Sequence, residues 1–541
     1  MSGSIFRARQ SQSPTVSADS TTKPQSALDN TLTDITRKSG CYELTKNKHY
    51  CVSRFPALPK VFKQLKSSDQ SFSNAYSDHE SNYSLVINED SIYVWSYKSL
   101  DSSPLSIEFP IEKPQFELPL AILTKPSSGT GQDPGLVIID SLSGLIKFYE
   151  SVQHAPTLGL INDRSLEMNI PINTSKGEYI TLAENVEPAG IAVATSWKRC
   201  ILIQLRDYKS KPQLSTMELL SAPSSFSFLS KIFRSPSEDS NEINLFLLTI
   251  KIDPSGVLLY GCHKLTRFDP GSKLSSSPKL YLPQPGKTAF VIIDNSIIIT
   301  DLNTSYIESR TTFVSYYKPR WEDMIRLKSS VEIIGSGYEN QSSNSNPAIV
   351  LLTKNYGILR LEKFPQESYD EDSMETNETD ISDPLLIVKS HIEQGIFYSH
   401  SQEIEFDLSQ KFDESLILSA IDLIINELMT STSAYMPKVL PTIGDLTRGK
   451  VNLFQELIEY CNRNFPSLTL KIIPKLVENL EKANTALNLW ITIDADENRI
   501  KLKQILETVI KNSNIKIKGG DENILREFFS RRIDAINEIL S

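Results

Sequence analysis

The chain has 541 residues, too many for one ordinary hydrophobic core, so two or more domains are expected. Charged residues make up 23% and hydrophobic residues 39%, the balance of a soluble globular protein. A net charge of −10 excludes a broad nucleic-acid surface. The five cysteines, Cys41, Cys51, Cys200, Cys262 and Cys461, are scattered and form no Cys-x-x-Cys pair. That argues against structural zinc and a disulfide framework, and fits the cytosol or nucleus. Residues 1–30 lack the apolar core of a secretory signal. The best apolar run, 290–300, is broken by Asp294 and Asn295, so no bilayer span is predicted.

Residues 1–45 are rich in Ser, Thr, Asp and Gln and read as a disordered tail. From about residue 80 a strand–turn–strand pattern repeats. It occupies 83–88 with 91–97, 135–140 with 145–149, and 190–195 with 200–206. It returns at 244–252 with 256–265, 289–293 with 296–300, and 348–353 with 357–361. These six units start about fifty residues apart, and weaker strands at 105–109 and 312–317 lie between them. Evenly spaced hairpins predict a divergent all-β propeller of six to seven blades over 46–385. The competing architecture is an array of β-sandwiches.

One stretch within the propeller, 219–237, has outward-pointing chemistry. Placed on a helix, Leu219, Ala222, Phe226, Leu229 and Phe233 share a face that Phe228 and Ile232 widen. Ser224, Ser227, Ser230, Lys231, Arg234 and Ser235 fill the opposite arc, where Leu220 is the apolar exception. Pro223 suits a first turn and Pro236 a stop. Serine is a poor helix former, so this segment needs an apolar surface to fold upon. Two placements fit: a loop laid back on its own propeller, or a membrane contact.

Residues 368–380 are acidic and polar and read as a solvated loop. Beyond them the apolar period changes from 2 to 3.6. Ile392, Ile396 and Phe397 open a helical face. Helices are then predicted around 416–428, 453–461, 470–489, 498–511 and 522–540, with no strands among them. Residues 386–541 therefore read as the first part of an all-α helical stack, expected to continue in a longer chain.

No catalytic residues, metal ligands or cofactors are predicted. The six histidines lack metal spacing, and adjacent Cys262 and His263 should face opposite ways on a strand. Gly335-Ser336-Gly337 is not a nucleophile elbow, and Ser127-Ser128-Gly129-Thr130-Gly131 lacks the Lys-Ser/Thr of a phosphate loop. Asp140, Glu150, Asp294 and Asp301 are scattered and read as turn or strand-end residues.

Several stretches carry a resemblance. They are Pro171-Ile172-Asn173, Glu187-Pro188-Ala189-Gly190-Ile191, Ser230-Lys231-Ile232-Phe233, Trp321-Glu322-Asp323, Ile333-Ile334-Gly335-Ser336-Gly337-Tyr338 and Lys389-Ser390-His391-Ile392. Together, over roughly 80–430, the chain resembles fungal members of the 133-kilodalton nucleoporin family, scaffold subunits of the Y-shaped complex in the nuclear pore outer ring. The resemblance implies a seven-bladed propeller, a long helical stack and localisation at the nuclear envelope. It implies indirect support of mRNA export and protein import, and Y-complex nucleoporins as partners.

It also implies that the 219–237 loop is a lipid-packing sensor for curved membrane, with Leu219, Phe226, Phe228, Leu229, Ile232 and Phe233 as the inserting residues. The chain departs from the family in two ways. Only 236–242 separates the loop from the next strand, where the family has at least a blade's worth of chain. The family's distal helices, which contact the neighbouring subunit, are not in this sequence, so that contact is not assigned to it. A vesicle-coat scaffold shares the same plan, and a propeller enzyme is a third reading.

Overall fold

Short runs such as Ala348-Ile-Val-Leu-Leu352 are apolar at successive positions, so both faces of the strand must be covered. The computed structural model shows how. It describes residues 42–540 except 56–58, 60–70, 76–82, 88–90, 99–103, 112–117, 127–132, 156–164, 221–242, 254–255, 269–277, 303–306, 311–314, 318–320, 344, 355, 366–383, 407–411, 437–441, 514 and 516–523. Among these residues, six sheets of four or five strands stand as the blades of a propeller.

The first blade is β3 (Ser71–Ala75), β4 (Tyr83–Ile87), β5 (Ser91–Ser96) and β6 (Ile107–Pro110). The second is β7 (Leu120–Thr124), β8 (Gly135–Ile139), β9 (Leu145–Tyr149) and β10 (Leu166–Asn169). The third is β11 (Ile180–Asn185), β12 (Ile191–Thr195), β13 (Cys200–Arg206) and β14 (Pro212–Leu220). Each is an antiparallel meander, and each centres on a hairpin read from the sequence.

The fourth blade takes its last two strands from within the stretch of chain that builds the fifth. β15 (Ile243–Asp253) and β16 (Gly256–Phe268) form a long hairpin. The fifth blade holds β17 (Lys279–Tyr281), β18 (Thr288–Ile293), β19 (Ser296–Asp301) and β22 (Trp321–Leu327). Between β19 and β22 the chain makes β20 (Ile307–Arg310) and β21 (Ser315–Tyr317), which complete the fourth sheet by parallel pairing of β21 on β16.

The sixth blade joins distant parts of the chain. β23 (Ile333–Glu339), β24 (Ala348–Thr353) and β25 (Gly357–Lys363) are extended by β2 (Tyr50–Phe55) and β1 (Tyr42–Lys46), with Tyr50 opposite Lys363. β1 corrects the expected tail of 1–45, because Tyr42 to Thr45 already pair in this sheet.

Alternation along β24 explains its continuous apolar run. Ile349 and Leu351 pack towards the fifth blade, and Val350 and Leu352 towards the first. Shared apolar clusters join blades one to two, two to three, four to five, five to six and six to one. Among the described residues only the third and fourth share none, and segment 221–242 lies between them in the chain.

Among the described residues seven helices come after the blades: α1 (Pro384–Phe397), α2 (Glu414–Thr430), α3 (Ile443–Asn464), α4 (Thr469–Ala495), α5 (Arg499–Asn512), α6 (Ile524–Arg531) and α7 (Ile536–Leu540). They bury one continuous core that includes Ile392, Ile424, Phe454, Leu476 and Phe528. Thr442 caps α3 by accepting a bond from the Asp445 N–H at 3.1 Å. Two expectations are corrected here. The predicted helix over 522–540 is broken by a 3₁₀ turn, Ile533–Ala535, between α6 and α7. The helical region also contains a strand, β26 (Ile404–Glu405), which pairs with β22 of the propeller.

Candidate functional site: the root of the apolar loop

β14 is the outermost strand of the third blade, with β13 as its paired neighbour. Its last residues sit beside the β12–β13 turn, since Leu220 lies opposite Cys200. Arg199 in that turn fixes the strand end. Its guanidinium donates to Glu218 Oε1 at 3.0 Å and Oε2 at 3.1 Å, and to both Glu178 oxygens at 3.1 and 3.2 Å. Burial works against ionisation of Glu178. Bonds from the Asn173 N–H, Thr195 and Arg199 outweigh it and hold the carboxyl below the usual range. This fork is a stiff bracket at the point where the loop leaves the blade.

Leu219 is therefore on a strand and not on a helix, which corrects its predicted position on the amphipathic face. Leu220 is corrected likewise. Any helical face in this loop begins after residue 220. Leu219 is 47% exposed, and Met217, two residues back on the same strand, is exposed as well. Phe226, Phe228, Leu229, Ile232 and Phe233 lie outside the described residues.

Among the described residues no three His, Cys, Asp or Glu side chains gather as a metal site. Cys262 and His263 are both buried, and the His263 ring stacks on Tyr317 at 4.8 Å. Asp140 caps a turn by accepting from the Leu142 and Ser143 N–H groups, and Asp301 binds Thr288 and Lys363. No helix of the described residues is long and apolar enough to cross a membrane.

A family profile described as Nup133 N terminal like matches residues 45–240 and 235–360, more than half of the chain. The chain belongs to this nucleoporin family. Its two matched pieces overlap at 235–240, between β14 and β15 in the chain. Nucleoporin NUP133 of Saccharomyces cerevisiae is 24% identical over 592 residues, covering 87% of this chain and 49% of that protein. Nucleoporin nup132 of Schizosaccharomyces pombe is 22% identical over 623 residues, covering 95% and 51%. The chain thus spans about half the length of the curated relatives it matches. Among solved structures, the Nup133 β-propeller domain of Vanderwaltozyma polyspora aligns with 60% of this chain and 100% of its own, at 18% identity and a TM-score of 0.42.

In this nucleoporin the helices dock on the propeller through polar groups that sequence periodicity does not single out. Gln394 of α1 accepts from Thr45 at 2.7 Å and from Tyr50 at 3.2 Å. Tyr398 donates to Glu43 at 2.6 Å, and His391 Nε2 lies 3.0 Å from Asp323 Oδ1. Arg54 pairs with Glu403, and Lys328 donates to the Ser401 carbonyl at 2.6 Å. Lys389-Ser390-His391-Ile392, read as the start of the helices, thus supplies the His391 contact. The other partners lie up to 355 residues apart in the chain, a separation no local pattern reports.

Proposed function

We propose that this chain is the propeller and first helices of a scaffold nucleoporin of the nuclear pore outer ring, a structural part and not an enzyme. On this reading its 221–237 loop contacts curved nuclear-envelope membrane, its partners are other Y-complex nucleoporins, and it supports mRNA export and protein import indirectly.

The observation that carries the membrane reading is the loop root. β14 brings the chain to the outer edge of the third blade with Leu219 exposed, on a bracket held by Arg199. The segment after β14 is Phe-rich on one helical face and Ser-rich on the other. A curved bilayer opens gaps between headgroups that Phe and Leu fill. A serine face adds little attraction to lipid charge, so binding depends on the gaps. Lys231 and Arg234 add some attraction to anionic lipid.

Flotation with small and large vesicles tests this. The wild type should float with small vesicles more than with large ones, and Phe226→Asp with Phe233→Asp should abolish flotation. Unchanged flotation of that double variant would sink the membrane reading. A fluorescent fusion should mark the nuclear rim in spots, and cytoplasmic puncta would favour a vesicle coat.

A further inference from the structure

The strand register sorts the loops of blades two and three into two opposite faces of the propeller. Leu220 lies opposite Cys200, and Ile180 opposite Thr195. The end of β14, the β12–β13 turn and the start of β11 therefore lie on one face. The β8–β9 turn lies there too, since the Ile180 N–H donates to the Ser141 carbonyl at 2.8 Å. Arg206 lies opposite Pro212, so the β13–β14 turn with Tyr208 is on the other face.

The face of the loop root carries four exposed apolar or aromatic side chains on rigid turns and strand ends. They are Leu142 at 41%, Tyr179 at 39%, Trp197 at 37% and Leu219 at 47%. The turns that present them are tied down. The Ser196 N–H donates to the Tyr179 carbonyl at 2.8 Å, and the Tyr179 N–H donates to Ser196 Oγ at 3.2 Å. Leu142 sits in the turn capped by Asp140. Exposure of these groups is thus a property of the ordered blade.

The charges nearby suit a lipid surface. The carboxylates Glu178 and Glu218 are engaged by Arg199, and Asp140 Oδ1 accepts two backbone N–H groups. Lys176 and Lys198 are exposed on the same face. Trp and Tyr beside Lys, with an apolar body and a polar tip, match the chemistry of the headgroup layer.

We propose that Leu142, Tyr179, Trp197 and Leu219 form a rigid lipid-contacting rim that seats the third-blade face on a phosphatidylcholine-rich bilayer beside the loop. This rests on the membrane reading of the loop and adds a second, preformed contact to it. The loop detects packing gaps, and the rim fixes the tilt of the propeller against the surface.

Trp197 reports the contact directly. Of the four tryptophans, Trp95 and Trp321 are buried and Trp490 is packed on Phe529, leaving Trp197 exposed. Vesicles of brominated phosphatidylcholine should quench its emission, more at about 30 nm diameter than at about 200 nm. Trp197→Phe should still float and lose the quenching. Leu142→Asp with Trp197→Asp should weaken flotation about tenfold, because charge replaces apolar contact. Tyr208→Ala, on the opposite face, should change nothing. Flotation without Trp197 quenching, or an undiminished Leu142→Asp, Trp197→Asp variant, overturns the rim and leaves the loop reading standing. A Phe226→Asp, Phe233→Asp variant that floats unchanged overturns the loop reading and, with it, the rim that rests on it. Failure of the wild type to float overturns both.

Discussion

Lys450 is the most unusual residue of the helical region. It is fully buried in α3, and its Nζ lies 2.6 Å from the Met429 carbonyl and 2.6 Å from the Ser530 carbonyl. These belong to the last turns of α2 and α6, so one amine satisfies the ends of two helices. Burial lowers its pKa to about 7, with Asp534 opposing the shift. Between about pH 7 and about pH 10.4 the unfolded chain holds a proton that the folded chain lacks, so stability rises with pH across that window. Lys450→Met should remove this rise. The wild type should gain on the variant by up to about 1.4 kcal/mol per pH unit in urea unfolding over that range. Parallel pH profiles for the two proteins would contradict the assignment. Nothing in the sequence marks Lys450, since it stands in the polar-looking run Thr447-Arg-Gly-Lys450. Its role depends on two carbonyls brought in by other helices.

At the scale of elements, hairpins were legible and the contacts between blades were not. All six predicted hairpins form sheets, because turn residues and apolar strands are local signals. The completion of the fourth blade was not legible, since β21 pairs with β16 although β17, β18 and β19 of the fifth blade lie between them in the chain. Leu219 departs from its predicted helical position for a related reason. Its helical pattern is real in the sequence, but its neighbours Glu218 and Leu220 pair with β13 and hold Leu219 in the strand at a bulge. The seam between blades six and one shows the energetic side of such contacts. Arg360 of β25 donates to Glu339 at 2.8 Å and to Glu362 at 2.5 Å, and Tyr97 of the first blade reaches the same Glu339. Burial raises the Glu339 pKa despite the attraction of Arg360. Arg360→Met should leave the buried Glu339 carboxylate with only Lys98, at 3.5 Å, as a cation partner and cost about 3 kcal/mol. Denaturant unfolding at neutral pH measures it, and a loss under about 1 kcal/mol would show that the pair is dispensable.

For the whole molecule, the question is how propeller and helices hold together. β26 adds a strand to the fifth blade, while α1 docks mainly through ionisable and amide side chains. His391 is the imidazole of this junction, held by Asp323. Burial alone would lower its pKa, but Asp323 raises it above the ordinary value. Asp323, its partner, also acts on His49, Tyr50 and Tyr435, and Lys363 acts on His49. Its stabilising contribution is present below about pH 6.5 and is lost as pH rises through the raised folded-state pKa. Hydrogen exchange in α1 and β26, corrected for intrinsic rates, should therefore quicken as pH rises above about 6.5 through the raised folded-state pKa. His391→Gln should remove that change. Equal pH dependence in both proteins would place the junction's strength elsewhere, in the Arg54–Glu403 pair or in Ile404.

The sequence by itself determined the elements. Period-2 and period-3.6 patterns, turn residues and the aromatic-and-serine segment after Leu219 are properties of neighbours along the chain, and local physics reads them directly. Tertiary structure decided which elements meet. It paired the first strands with the last to make the sixth blade, turned Leu219 from a helix position into the bracketed end of β14, and set Trp197 and Tyr179 beside it on one face. It also put His391 against Asp323 and Lys450 between two helix ends. Each of those contacts depends on chain segments that local pattern cannot bring together, because their pairing depends on how the blades and helices bury their apolar faces against one another.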